Sequence, residues 1–388
     1  MFIAKREDGI LITLHDYKDT SSQDKIRRYK YSCPACESEV KLKSGSIRRM
    51  HFAHLGTECR ASTEAETTYH LEGKAKLYQS LKINGSPELE YYIPQTSQRA
   101  DVFLKAKRDF AFEFQCSPIH PSIIEQRSTL YESESIIPIW LIGKEKLGNI
   151  QSYMKLSAFQ WSFLQNHKKG EPPYILSFCP QYSVFHYLHP LFGFNSLDAY
   201  VSSKTSKEWQ LHPPHNRKHP PSFWKTKWLH SKRRWRYDFC LYSANQKLRN
   251  YCYTKMQIPL SLCPAAIGIP VSSSYWFQTP NIQWQAWLYF DSIYHTPIHS
   301  IIHIPSLMNR FNQRIQQAHV KIKQLPLVRF GHYTNAVMEY LEQLCAVGIL
   351  TKESDLVFRK AENEKRYNTM EEATAHDKDI LNRIVLKL

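Results

Sequence analysis

Between residues 62 and 143 the chain carries one ordered series of elements, which restricts its fold more than any other feature. Ser62 to Lys82 has helical spacing, with Ser62 and Thr63 as candidate N-caps and Asn84-Gly85 as the stop. Three strand-like runs follow, LEYYI, RADVFL and DFAFEFQ, the last two joined by a short polar turn. A second helix, about Pro121 to Ser135, leads into IIPIWLIG, an apolar run that reads as a buried strand. Helix, three strands, helix, strand: the order predicts an α/β unit.

The third strand sets the chemical question. In AFEFQCSPI, alternation places Phe112, Phe114 and Cys116 on one face and Ala111, Glu113 and Gln115 on the other. A core-like strand that turns a carboxylate and a carboxamide to one side needs partners for them. Asp101 lies one strand earlier, and a hairpin brings it beside Glu113. On the preceding helix Glu66, His70 and Lys74 recur every four residues, along the packing stripe of Leu77, Tyr78 and Leu81. Hard oxygen ligands gathered on rigid elements suit a divalent cation, and metal-dependent phosphodiester cleavage requires such a set. Arg127 and Tyr131, at i,i+4 on the second helix, face either this cleft or ordinary packing partners.

Upstream, YSCPAC supplies Cys33 and Cys36, and MHFAHLGTEC supplies His51, His54 and Cys59. Two thiolates three positions apart can grip zinc from a single turn, and a second pair completes the tetrahedron. Five candidates compete for four places. Cys33, Cys36, His54 and Cys59 are the favoured set, with His51 as substitute or neighbour. Four protein ligands leave no open position, so the expected role is structural.

The formal net charge of +16 over 388 residues points to a polyanionic partner, with nucleic acid ahead of a membrane surface. No apolar run approaches the length of a membrane span, and MFIAKREDGI lacks the apolar core of a signal peptide. The nine cysteines are scattered without framework spacing, which fits reduced thiols in a cytoplasmic protein.

Beyond residue 150 periodicity weakens, and LHPPHNRKHPPSFW suggests a linker or surface loop near residues 211–222. In KTKWLHSKRRWRYDF, the cations Lys225, Lys227, Lys232, Arg233, Arg234 and Arg236 interleave with Trp228 and Trp235, and Trp224 sits just before. Cations neutralise phosphates and indole faces stack on unpaired bases, so this segment is a candidate for single-stranded DNA contact. Near the end, FGHYTNAVMEYLEQLCAVGIL fits a helix ended by Gly348, and a short apolar run at Leu356 to Phe358 suggests a small winged-helix-like module. The expected organisation is a module over 1–60, the α/β unit over 61–150, an aromatic and basic DNA-contacting region over 151–305, and a mostly helical region over 306–388.

CPAC, HFAH with Cys59, the Glu66–His70–Lys74 series, RADV, AFEFQCSPI, EQRSTLY and IPIWLIG, taken in this order, resemble the CoiA-like competence proteins. The resemblance covers about the first 150 residues strongly. It implies a zinc-binding N-terminal module followed by a restriction-endonuclease-like αβββαβ core of the PD-(D/E)xK type. It further implies a role in natural transformation, where incoming single strands are recombined by a RecA-type recombinase. Carried over by position, Asp101 and Glu113 hold magnesium or manganese, with Glu66 as a further ligand or orienter. Gln115 stands where most members of that superfamily have Lys, so Lys74 is a candidate source of the missing charge. Arg99 positions Asp101 or a DNA phosphate. Two functions follow: a metal-dependent nuclease on single-stranded or branched DNA, or a catalytically weak DNA-binding adaptor that assists the recombinase.

Overall fold

The computed structural model describes residues 1–14, 26–44, 50–56, 67–213 and 223–384. Cys59 and Glu66, the two N-cap candidates Ser62 and Thr63, and most of the 211–222 loop lie outside them. The first helix is seen from Thr68 to Leu81, with the Thr67 hydroxyl accepting the His70 N–H. The chain is a mixed α/β protein.

The series helix, three strands, helix, strand is present, set in a nine-stranded sheet. Strand Phe110–Gln115 lies inside it, antiparallel to Val102–Lys105 and parallel to Ile137–Gly143. Ile137–Gly143 in turn runs parallel to Tyr174–Cys179. All six residues of Phe110–Gln115 are buried, because both faces of this part of the sheet are covered. Phe112 and Phe114 pack toward the Thr68–Leu81 helix with Leu71 and Leu77, while Ala111 packs with Phe103 and Tyr131 of the Pro121–Ser133 helix. Each buried Phe contributes about 1.5–3 kcal/mol relative to an exposed one. The sheet continues past residue 150 through Tyr174–Cys179, Val184–Phe192 and Asp198–Ser206, so that stretch completes the same sheet.

LEYYI and RADVFL are each two strands rather than one. Glu90 has a left-handed φ of 46°, which no pleated strand can carry, and it separates Ser86–Leu89 from Tyr92–Ile93. Opposite it, Ala100 and Asp101 separate Gln98–Arg99 from Val102–Lys105. Two backbone bonds clamp the double break, Glu90 N–H to Asp101 O at 3.0 Å and Ala100 N–H to Tyr91 O at 3.0 Å.

Strands Ile3–Arg6, Leu11–Thr13, Tyr31–Ser32, Glu39–Lys43 and His51–His54 form a five-stranded antiparallel sheet, and Phe2, Val40 and Phe52 join the same apolar cluster as Leu71 and Phe112. At the other end, Asn281–Ser292, Ile301–His303, Ile304–Gln316, Tyr333–Ala346 and the hairpin Leu350–Ser354/Val357–Lys360 follow the helix–strand–helix–helix–hairpin order of a winged helix. Among the described residues no helix is long and apolar enough to cross a membrane.

Candidate active site and metal centre

The break at Glu90 and Asp101 creates the site. Continuing the register Phe112 to Val102 sets Asp101 opposite Glu113. Because Asp101 has left the strand, its Oδ2 accepts the Phe114 N–H at 3.0 Å and its side chain turns toward the Thr68–Leu81 helix. That helix lies close to the sheet at Gly73: a Cβ there would sit 1.9 Å from the Phe114 ring. Its His70 and Lys74, one turn apart and both buried, therefore reach Asp101, His70 Nε2 at 3.5 Å from Oδ2 and Lys74 Nζ at 3.8 Å from Oδ1. Lys74 is held harder by Glu90, whose Oε1 lies 2.6 Å from Nζ and whose side chain is 0% exposed. The other oxygen of Glu90 accepts the N–H groups of Phe2 at 2.6 Å and Ile3 at 3.1 Å. One carboxylate thus ties the N-terminal sheet to the lysine beside Asp101.

Glu113 occupies the opposite face. Its Oε1 accepts hydrogen bonds from Arg127 Nη2 and from the Tyr131 hydroxyl, so this i,i+4 pair faces Glu113, and all three side chains are buried. Arg127 Nη2 also donates to Arg99 O at 3.1 Å. Among the described residues no donor reaches Glu113 Oε2. Gln115 is buried, and its Nε2 donates to Ser117 O at 2.9 Å. Arg99 is buried too, with Nη1 3.0 Å from Met1 Sδ, a placement that withholds its guanidinium from a DNA phosphate.

Electrostatics drive the two carboxylates apart. Burial opposes ionisation of Asp101, but His70, Lys74 and the Phe114 N–H outweigh it and hold its pKa well below the ordinary carboxylate value. For Glu113 burial dominates; Arg127 counteracts it and the Asp101 charge adds to it, so its pKa is raised. The two neighbouring acids therefore carry opposite shifts, each set by its own partners and burial.

Upstream, Cys33 Sγ, Cys36 Sγ and a His54 ring nitrogen lie within 4.8 Å of one another. The turn that presents them has the Ala35 N–H 3.4 Å from Cys33 Sγ and Glu37 at a left-handed φ of 58°. Backbone N–H groups aimed at sulfur stabilise thiolate, and three such ligand atoms fit a tetrahedral metal. His51 is buried on the opposite face of the same strand from His54 and does not join this group.

The Trp224–Tyr237 helix corrects the expectation for its tryptophans. Trp228 and Trp235 are buried, Trp228 donating to Gly268 O at 3.0 Å, so neither ring is available to a base. Lys232 and Arg236 are buried with Asp377, at 2.9 and 2.7 Å. The apolar positions that looked interleaved are the core stripe of an amphipathic helix. Arg233 and Arg234 remain exposed, whereas Lys225 and Lys227 are half-buried, with Lys227 Nζ 3.4 Å from the centre of the Tyr153 ring.

Glu90 is the residue that periodicity missed, because a carboxylate inside LEYYI looks like one exposed position of a strand. Its only sequence signal is a charge within a run of strand formers.

Three parts of the chain match domains of the competence protein CoiA. These are the N-terminal domain at residues 15–62, the nuclease-like domain at 66–217 and the C-terminal domain at 223–374. Among curated proteins the chain is similar to the competence protein CoiA of Bacillus subtilis (strain 168). The two are 30% identical over 353 residues, covering 86% of this chain and 90% of that protein. No solved structure matches.

Proposed function

Because the chain belongs to the CoiA family of competence proteins and carries its nuclease-like domain, we propose that it processes DNA during competence as a metal-dependent nuclease on single-stranded or branched substrates. The observation that carries this reading is the register that sets Asp101 opposite Glu113, near enough for the Asp101 charge to act on Glu113 although the two side chains take different partners. Asp101 and Glu113 would hold magnesium or manganese, and the metal would supply an activated water and offset charge on the leaving oxygen. Lys74, 3.8 Å from Asp101, places an ammonium at the site, although Glu90 shares it. Its role in this reading is to offset charge that Gln115 cannot, since an amide only hydrogen-bonds.

Gln115 itself supports the second reading. Its amide is committed to Ser117 O at 2.9 Å, which suits a nuclease fold retained as a DNA-binding adaptor for a RecA-type recombinase. The deciding experiment offers single-stranded, duplex, flap and junction DNA with Mg²⁺ or Mn²⁺ to the wild type and to Glu113→Ala. Cleavage by the wild type that falls at least about 100-fold in the variant is the expected result. Equal binding without cleavage of any substrate by either protein favours the adaptor.

The Cys33–Cys36–His54 group is assigned to structural zinc, with the fourth ligand drawn from outside the described residues, where Cys59 lies. The double variant Cys33→Ser, Cys36→Ser is expected to lose the zinc that copurifies with the wild type. Equal metal content in both proteins rules the site out.

A further inference from the structure

The winged-helix order in the C-terminal region suggests DNA on its third helix, and the charges argue against that. Tyr333–Ala346 carries Glu339 and Glu342 and no cation, and Glu339 is tied to the Ser273 N–H and hydroxyl at 2.7 and 2.5 Å. The second helix, Ile304–Gln316, carries Arg310 and Arg314 and no carboxylate. Beside it lies an open groove of about 650 Å³, lined by Arg310, Gln313 and His295 on one side and Tyr251 and Met256 on the other. The groove's acid, Asp291, is already paired with Arg314 at 2.7 Å through both oxygens and accepts the Tyr251 hydroxyl at 2.8 Å.

The far wall belongs to the most basic stretch of the chain, in which residues 223–256 hold nine Lys and Arg against one carboxylate, Asp238. Lys232 and Arg236 are spent on Asp377 inside the core, but Lys247 and Lys255 are exposed and form no ion pair among the described residues, as is also true of Arg310. The same stretch exposes rings. Cys252 and Met256 are buried at the two ends of a π-helical turn, so Tyr253 between them faces outward and is 74% exposed. Tyr242, 57% exposed, meets Phe239 edge-to-face at 5.2 Å between ring centres, and Arg234 lies 4.9 Å from the centre of the Phe239 ring. Arg249 links the two tyrosines: it is one turn before Tyr253 and donates to Leu241 O at 2.6 Å.

We propose that this groove and the adjoining Tyr242–Tyr253 surface seat single-stranded DNA. Tyr242 and Tyr253 act as stacking platforms, and Lys247, Lys255 and Arg310 contact phosphates. Exposed ring faces match unpaired bases, which a duplex hides, and cations without acidic partners match a phosphate backbone. The seat rests on the DNA-processing reading above and adds where the strand lies, away from the Asp101–Glu113 site.

The test is anisotropy of a fluorescein-labelled oligothymidylate, and of a duplex of equal length, across a NaCl series. Tyr242→Ala/Tyr253→Ala is expected to weaken single-strand binding about tenfold or more with the salt slope kept, and to leave duplex binding unchanged. Lys247→Glu/Arg310→Glu is expected to flatten the single-strand log–log salt slope by about 1.4, two phosphate contacts. If the wild type binds single strands and both variants match it in affinity and slope, the seat is overturned while the DNA reading stands. If the tyrosine variant loses duplex and single strand equally, the stacking assignment is overturned. No DNA binding by the wild type at low salt overturns the underlying reading as well as the seat.

Discussion

Glu90→Ala is expected to lower the unfolding free energy by about 3–5 kcal/mol, the usual cost of removing one member of a buried ion pair. The effect is large because Glu90 serves three donors at once: Lys74 Nζ at 2.6 Å and the N–H groups of Phe2 and Ile3. Without it, Lys74 is left with its side chain 1% exposed and with Asp101 at 3.8 Å. The variant should therefore show a second, local signature. Amide exchange at Phe2 and Ile3 rises toward that of an unprotected strand, because their shared acceptor is gone. Urea unfolding measures the first effect and hydrogen exchange the second. A loss under about 1 kcal/mol with both amides still protected would show that the N-terminal sheet is not anchored through Glu90.

Arg127→Met should cost a similar amount, about 3–5 kcal/mol near pH 8, and with a marked pH dependence. Arg127 is the cation that opposes the burial of Glu113. The pKa of Glu113 in the folded protein already lies above its ordinary value of 4.5, so over the interval between the two values the folded state binds more protons than the unfolded. Its contribution therefore falls as pH rises through the folded value. Removing Arg127 moves the folded value further up and widens that interval. The variant should lose least at pH 5, where a neutral Glu113 can be buried beside Tyr131, and most at pH 8. Denaturant midpoints at the two pH values decide it, and a wild-type-to-variant gap that is equal at both would refute the Glu113 assignment. Asp101 acts in the opposite sense: its depressed pKa supplies stability above the ordinary carboxylate value that is lost as pH falls.

Much of the nuclease-like unit was legible in the chain. The Pro121–Ser133 helix, the strand Phe110–Gln115 and the strand Ile137–Gly143 all lie where periodicity and breakers place them. The stripe of His70 and Lys74 along an apolar helix face pointed to polar groups with a buried task, and both side chains are buried at Asp101. The basic segment misled for a related reason. A helix with Trp at 224, 228 and 235 has core spacing, but the cations between them draw the eye to DNA, and Lys232 and Arg236 prove to be internal partners of Asp377. Charge alone does not say whether its partner is phosphate or a carboxylate 141 residues away.

By itself the sequence determined the family, the order helix–three strands–helix–strand, and which strand carries Glu113 and Gln115, because these follow from the pattern among near neighbours. Tertiary structure decided which polar groups meet. A left-handed Glu90 breaks one strand, Asp101 leaves another, and Gly73 lets a helix close on Phe114, so that Asp101 falls to His70 and Lys74 while Glu113 falls to Arg127 and Tyr131. Those pairings join residues distant in the chain. They depend on packing distance and burial, for which local periodicity holds no signal.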